Sequence, residues 1–357
     1  MTRRICAFIV NFEKILQEFQ LLSKAARLPT KKQILDAAKK ALFVLATEPS
    51  SYRERIPGTD IPGGLLDFRA LPQAPIIVVP DIHARPDFVY NILNFVLPQK
   101  ISGLKEDIKV ADALEQKKVR LVCVGDILHA EGRAKERWLK AYEAFEAGVY
   151  DCDFMRDEMR EGLSALLAVM RAKVLWPENF HCLKGNHENI ANERGEGNFP
   201  FRKFASEGRM VFEFMRAVYG EEVLNALYDF EKALPLCACS KNIFVSHAEP
   251  LEYFSKEQLV CAPLDERTVY GLTWTANDEA QVGSVAKILS ALCDPPAKTE
   301  ARAVGGHRPV PENYLERQGG LYVQIHNPKM QNIAVVNPRK TFNPKRDIIS
   351  VEGEING

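Results

Sequence analysis

Asp81 and His83 stand two residues apart in IIVVPDIHAR (76–85). An extended chain turns residues two apart to the same side, so this carboxylate and imidazole can grip one cation. Asp126 closes the apolar run of LVCVGDILHAE (121–131). Asn186 and His187 follow Gly185 in FHCLKGNHEN (180–189), His247 ends the run of NIFVSHAEP (242–250), and His307 follows paired glycines in AVGGHRP (303–309). Of seven His in the chain, five (His83, His129, His187, His247 and His307) fall at the strand ends or beside the glycines of these stretches. Taken singly, Asp126 or Asn186 reads as a turn residue and His247 as a buried, satisfied imidazole. Taken together, a mixed set of Asp, Asn and His suits borderline metals such as Mn, Fe or Zn rather than Ca or Mg. One carboxylate shared by two such ions holds them about 3.5–4 Å apart, the spacing for in-line displacement at phosphorus. Asp126 is the expected centre.

The elements that must position these residues read as strands. Each apolar run is short and ends in a glycine or a polar turn, the pattern of a buried strand. A carboxylate at such an end is held rigidly at the edge of a sheet. Between the strands the pattern is helical. Trp138, Tyr142 and Phe145, then Met155, Met159, Leu163, Leu166 and Met170, give two amphipathic stretches over 134–172. They follow Glu131 directly and are expected beside the mouth of the site, with packing on an outer helical layer as the competing view. Helical patterns also cover 86–118, 199–233 and 280–293, and strand-like runs return at 321–325 and 333–336.

At the N-terminus, Phe8, Phe12, Ile15, Phe19 and Leu22 recur at helical spacing, Pro29 and Thr30 break the pattern, and Ile34, Ala37, Ala41 and Leu45 restart it. A helical hairpin is expected over 5–48. Residues 49–75 are rich in Pro and Gly and read as an irregular connection. The expected organisation is an N-terminal helical extension and linker (1–70), a main domain (71–338) with the helical insertion 134–172, and a polar C-terminal tail (339–357).

A chain of 357 residues with 46% apolar and 26% charged residues has room for one large domain with additions. Its formal net charge of zero supplies no global field to draw in nucleic acid or membrane. Residues 1–50 hold nine Lys/Arg against four Asp/Glu, a local excess read as a solvated helix face. The eight Cys include no CxxC pair and read as buried thiols rather than a disulfide frame. The ICAFIV run after Arg3 and Arg4 is cut by Asn11, Glu13 and Lys14, too brief for a secretory leader. No run reaches the ~18 apolar residues of a membrane span, and the cytoplasm is the expected compartment.

The ordered set D-x-H, G-D, G-N-H-E, H, G-H resembles the calcineurin-like metallophosphoesterases over roughly residues 75–336. Within that superfamily the chain is most similar to the phosphoprotein phosphatase branch, which includes serine/threonine phosphatases and diadenosine tetraphosphatases. GNHENIANER keeps an Arg six places after the Glu, YDFEKALPL is similar to the branch's helix-Leu-Pro element, and LTWTAND (272–278) to its Leu-Trp-Ser-Asp segment. The second His that nucleases of the superfamily carry two places after their G-H is absent, since position 309 is Pro.

The resemblance implies an α/β fold, a four-layer α/β/β/α sandwich of two mixed sheets with helices outside. It implies two divalent metal ions (Mn, Fe or Zn). Asp81 and His83 would bind the first, Asp126 would bridge, and Asn186, His247 and His307 would hold the second. His187 would assist the leaving group, with Arg194 nearby. The implied reaction is hydrolysis of a phosphate monoester by a metal-bridging hydroxide, on a phosphoprotein, a small metabolite or a nucleotide. The alternatives are a dinucleoside-polyphosphate or nucleotide hydrolase and a metal-binding scaffold without turnover.

The departures fall on the substrate clamp. Pro80 stands where the family has Gly, and GDILHAE stands where the branch has G-D-x-V-D-R-G. His129 and Ala130 therefore replace the Asp that orients the catalytic His and the Arg that holds phosphate. Arg85, Arg133, Arg302 and Arg308 are candidates to supply a replacement guanidinium. Glu131 is expected to hydrogen-bond His129 or His187 in place of the missing Asp.

Overall fold

A computed structural model describes residues 2–202 and 205–352, with side chains from Glu13 onward. The side chains of Phe8 and Phe12 of the expected hairpin face, and residues 353–357 of the expected tail, lie outside what the structure describes. The first sheet contains β2 (Ile76–Val79), β3 (Arg120–Cys123), β4 (Phe180–Cys182), β10 (Asn332–Val336) and β11 (Ile348–Ser350), in the order β11-β10-β2-β3-β4. The second contains β1 (Leu65–Asp67), β5 (Cys237–Cys239), β6 (Ile243–Ser246), β7 (Arg302–Gly305), β8 (Leu315–Arg317) and β9 (Tyr322–Gln324), in the order β1-β5-β6-β7-β9-β8. Both sheets are mixed. In the first, β2, β3 and β4 run parallel; in the second, β6, β7 and β9 do.

Alternation along the strands builds the layers, because successive side chains point to opposite faces. Ile76, Val78, Val122 and Val124 meet Ala238, Val245, Val304 and Val323 between the sheets. Ile77, Val79, Leu121 and Cys123 face outward instead, into a core shared with helices. That outer layer includes α1 (Thr2–Ser23), α2 (Lys31–Ala46), α3 (Pro86–Asn94), α4 (Lys135–Glu146), α5 (Asp153–Leu175), α6 (Glu207–Phe214) and α7 (Glu221–Lys232). On the far side, Cys237, Cys239, Phe244 and Tyr322 pack against residues of α8 (Lys256–Cys261), α9 (Glu266–Thr273) and α10 (Ser284–Leu292). The result is the expected α/β/β/α sandwich. Cys237 and Cys239 sit in that outer core as small hydrophobes, and no described cysteine is in a disulfide.

Both N-terminal helices form, but they pack chiefly on other helices rather than on each other as the expected hairpin would: α1 on α3 and α5, α2 on α5 and α7. Thr30 caps α2 with a reciprocal Gln33 capping box, and Ile34, Ala37, Ala41 and Leu45 enter the helical core. The Pro/Gly-rich stretch 49–75 carries the edge strand β1, paired in parallel with β5, and β11 lies in the expected tail. Residues 86–118 are not one helix. After α3, the chain makes a short antiparallel pair, Val96–Leu97 with Ile108–Lys109, around Pro98 and Gly103. Among the described residues no helix is long and apolar enough to cross a membrane.

Candidate metal centre

Six parallel strand ends, three from each sheet, converge on one point. Asp81 and His83 follow β2, Asp126 follows β3, and Asn186 and His187 follow β4. From the other sheet, His247 follows β6, His307 follows β7, and His326 follows β9. The turns carrying them are strained. His83, Asp126 and His307 have φ of 44°, 51° and 69°, a left-handed conformation costly for non-glycine residues and concentrated at functional sites. The glycines beside them permit the approach. A Cβ on Gly185 would lie 2.3 Å from Asp126 Oδ1, and one on Gly125 2.4 Å from the Gly185 nitrogen. Glu188 locks the two turns together by accepting hydrogen bonds from the backbone N–H of Asp126 (2.9 Å), Ile127 (2.9 Å) and Gly185 (2.6 Å).

Asp126 Oδ2 is the hub. It lies 3.7 Å from His83 Nε2, 3.6 Å from His187 Nε2 and 3.5 Å from His247 Nε2. Its other oxygen accepts the His187 N–H at 2.9 Å. Asn186 Oδ1 lies 2.9 Å from His247 Nε2 and 3.0 Å from His307 Nδ1. On the other side, His326 Nδ1 is 3.6 Å from Asp81 Oδ2. The backbone orients two of the rings. His83 Nδ1 is 2.9 Å from the His129 carbonyl and His247 Nδ1 is 3.1 Å from the Val124 carbonyl, so in each ring Nδ1–H donates and Nε2 keeps a lone pair for a ligand.

Three overlapping sets of donors lie together: Asp81, His83 and His326; His83, Asp126 and His187; and Asp126, His247 and His307. The donor chemistry fits cations. His326 is fully buried, and neither of its ring nitrogens has a hydrogen-bond partner among the described residues, a state that is costly unless something binds there. Burial lowers His83 to about 4 and, with a contribution from His83, His129 to about 3; His247 and His307 are also lowered chiefly by burial. His83, His129, His247 and His307 are therefore neutral at pH 7, the form that ligates metal. Burial would raise the Asp81 carboxyl, but His326, His247, His83 and His307 outweigh it and hold it low. Asp126 is pushed well above the carboxylate range by burial and by the charges of Glu188 and Asp81, a cost that a cation beside it would remove.

The sequence missed His326. It stands two places past β9, as His307 stands two places past β7. The strand-like run 321–325 ends directly before it, and that was the available signal. The expected partner of Glu131 needs correction. Both ring nitrogens of His129 lack hydrogen-bond partners, and the Glu131 carboxylate faces His83 Nε2 at 3.7 Å and His326 Nε2 at 3.2 Å instead. The physical reason is local. The His129 carbonyl is taken by His83, which turns Glu131 towards the Asp81 side of the site. His129 itself stacks edge-on against His187, ring centroids 5.0 Å apart.

The arginines separate clearly. Arg85 is buried and donates to the carbonyls of Asp81, Ile82 and Met330, so it braces the first turn rather than reaching outward. Arg133 donates to the Ala84 carbonyl and pairs with Glu161 at 2.9 Å. Arg302 begins β7, at the end opposite His307, and bonds Gly320 and Glu316. Arg194 is exposed in the loop after the GNHE turn. Arg308 is exposed beside His307, and its guanidinium has no hydrogen-bonding or ionic partner among the described residues.

Residues 74–330 match the calcineurin-like phosphoesterase family. The chain belongs to that family and is a metal-dependent hydrolase of phosphoesters. No curated protein matches the chain. Among solved structures, a serine/threonine phosphatase from Saccharomyces cerevisiae similar to human PP5 has the same fold, with TM-score 0.52, 14% identity, and 90% of this chain and 89% of that chain covered. A cold-active protein-tyrosine phosphatase of a psychrophilic Shewanella species aligns at TM-score 0.40 and 11% identity, covering 82% and 83% of the two chains.

Proposed function

We propose that the chain hydrolyses phosphate monoesters on a pair of divalent metals, Mn, Fe or Zn. The observation that carries this reading is the position of Asp126 Oδ2, within 3.7 Å of imidazole nitrogens from both sheets. Asp81, His83 and His326 would hold one ion with Asp126, and Asn186, His247 and His307 the other. When bound, such ions activate water and neutralise charge on the phosphate oxygens.

This chain's own residues do the rest. His187, fixed by its backbone hydrogen bond to Asp126, gives a proton to the leaving oxygen. Water adds to phosphorus, the bond from phosphorus to the leaving oxygen breaks, and an alcohol and inorganic phosphate depart. Arg308 is the arginine best disposed to hold the phosphate, in place of the Arg that Ala130 replaces. Glu131 supports the Asp81 side of the site rather than His187.

The test is a substrate panel. Protein stripped by a chelator and reloaded with Mn is offered p-nitrophenyl phosphate, a phosphopeptide, bis(p-nitrophenyl) phosphate and a dinucleoside polyphosphate. Metal-dependent turnover of a monoester is expected. Faster turnover of the diester or the dinucleoside polyphosphate than of any monoester, or no turnover at all, overturns the reading.

A further inference from the structure

A cavity of about 340 Å³ opens beside the metal centre, under the helical insertion. Its walls are mainly apolar: Trp138 and Leu139 of α4, Met159 of α5, Met210 and Val211 of α6, and Phe201 from the preceding loop. Two further walls, His129 and Glu131, belong equally to the metal centre. The Phe201 ring lies 3.6 Å from His187 and 4.8 Å from His129, centroid to centroid. The cavity therefore begins one side chain away from the imidazole assigned to the leaving oxygen. Of its two deep carboxylates, Glu158 is already paired with Arg137 at 2.8 Å and Glu207 accepts the Ala205 N–H at 3.2 Å, so neither requires a cationic guest.

We propose that this cavity receives the leaving group, and that the substrates are phosphate monoesters of small, ring-bearing alcohols. The inference rests on the phosphomonoesterase reading above. The volume is at the low end of small-molecule sites, too small for a folded phosphoprotein surface but ample for an aromatic ring with a short stem. The lining has the flat faces and soft edges that rings prefer. Trp138 stacks on Tyr142 at 4.8 Å, which fixes its orientation, and the two methionines offer polarizable sulfur to an aromatic edge. Leu139 is 44% exposed, an apolar side chain at the rim that a bound ring would cover.

The test compares 2-phenylethyl phosphate with ethyl phosphate on the Mn-loaded enzyme. Both release a primary alcohol, so the comparison isolates the ring from leaving-group acidity. A kcat/KM ratio of about tenfold or more in favour of the ring is expected, the scale of discrimination that apolar pockets provide. In Leu139→Asp and Trp138→Ala the ratio should fall towards one. Turnover of both esters with equal kcat/KM in the wild type overturns the pocket and leaves the phosphomonoesterase reading standing. If neither ester is turned over, that reading falls, and saturation-transfer NMR with 2-phenylethanol decides the pocket by itself. Transfer that is lost in both variants supports it, and absence of transfer to the wild type overturns it.

Discussion

Two of the groups of buried charged side chains in this molecule are built on opposite principles. Just past the end of α2, Glu48 accepts hydrogen bonds from Arg53 at 2.6 Å and Lys173 at 2.5 Å, with His181 3.3 Å away. Arg53 also reaches the carbonyls of Gly63 and Ala233, Lys173 that of Pro177, and His181 that of Glu178. Burial would raise Glu48, but Lys173, His181 and Arg53 outweigh it and hold its carboxyl far below the usual range. At the metal centre an equally buried acid, Asp126, moves the other way, because its neighbours are acids and neutral imidazoles. The first group closes on itself and ties α2, α5 and the Pro/Gly-rich segment together. The second leaves the ring nitrogens of His129 and His326 without hydrogen-bond partners among the described residues and needs a cation. Burial and charge alone do not mark a functional site; the unmet valence does.

The contrast can be broken by substitution. Asp126→Asn should lower kcat by at least about a hundredfold, as loss of a metal-centre partner does, and abolish the rise in Tm on adding Mn. The Tm of the metal-free protein should hold or rise, since a buried acid is removed. Kinetics and calorimetry with and without Mn check both halves. Glu48→Gln should do the reverse. It leaves Lys173 and Arg53 facing a neutral amide and should cost about 3–5 kcal/mol in urea unfolding, while metal analysis of the folded protein still finds two ions per chain. An equal loss of stability in both variants would show that the two groups do not differ in kind.

A sharper cut separates the halves of the metal centre. His326→Ala should weaken binding of one ion by about 10–100-fold, with activity recovered at high Mn and the second ion unaffected in a calorimetric titration. The smallest effect per step is that of acid. His181 is lowered to about 4, chiefly by burial, so the folded protein keeps it neutral while the unfolded chain protonates it near pH 6.5. Its contribution to stability is full above about pH 6.5 and is lost as pH falls towards 4, at about 1.4 kcal/mol per pH unit. The difference in urea unfolding free energy between the Asp126→Asn protein and Asp126→Asn/His181→Phe across that range isolates it, because His83, His129, His247 and His307 titrate in both.

Much of this was legible because the strand ends carry their own signals. The runs before Asp81, Asp126, Asn186 and His247 end in turn residues, and the structure brings Asp81, His83, Asp126, Asn186, His247 and His307 together. The helices of the insertion also follow their periodicity, and α4 and α5 both border the cavity beside the site. What stayed hidden depended on long-range pairing. His326 belongs to the site only because β9 lies beside β7 in the second sheet, a neighbour relation that no local pattern records. The strand β1 is three residues long among prolines and glycines, too short for alternation to show. Glu131 was misassigned because closeness in sequence does not fix where a turn aims its side chain.

The spread of the ligands along the chain sets an order of assembly. The first sheet supplies Asp81 to His187, but His247, His307 and His326 emerge from the ribosome later. Synthesis at about 5–20 residues per second leaves the growing chain on the order of ten seconds with one half of the site made and the other absent. In that interval the first sheet also lacks β10 and β11, so Asp81, His83, Asp126 and His187 are in the chain before the sheet that positions them is complete. Correct loading is therefore an event of the finished fold, and an ion captured early must be held weakly enough to exchange.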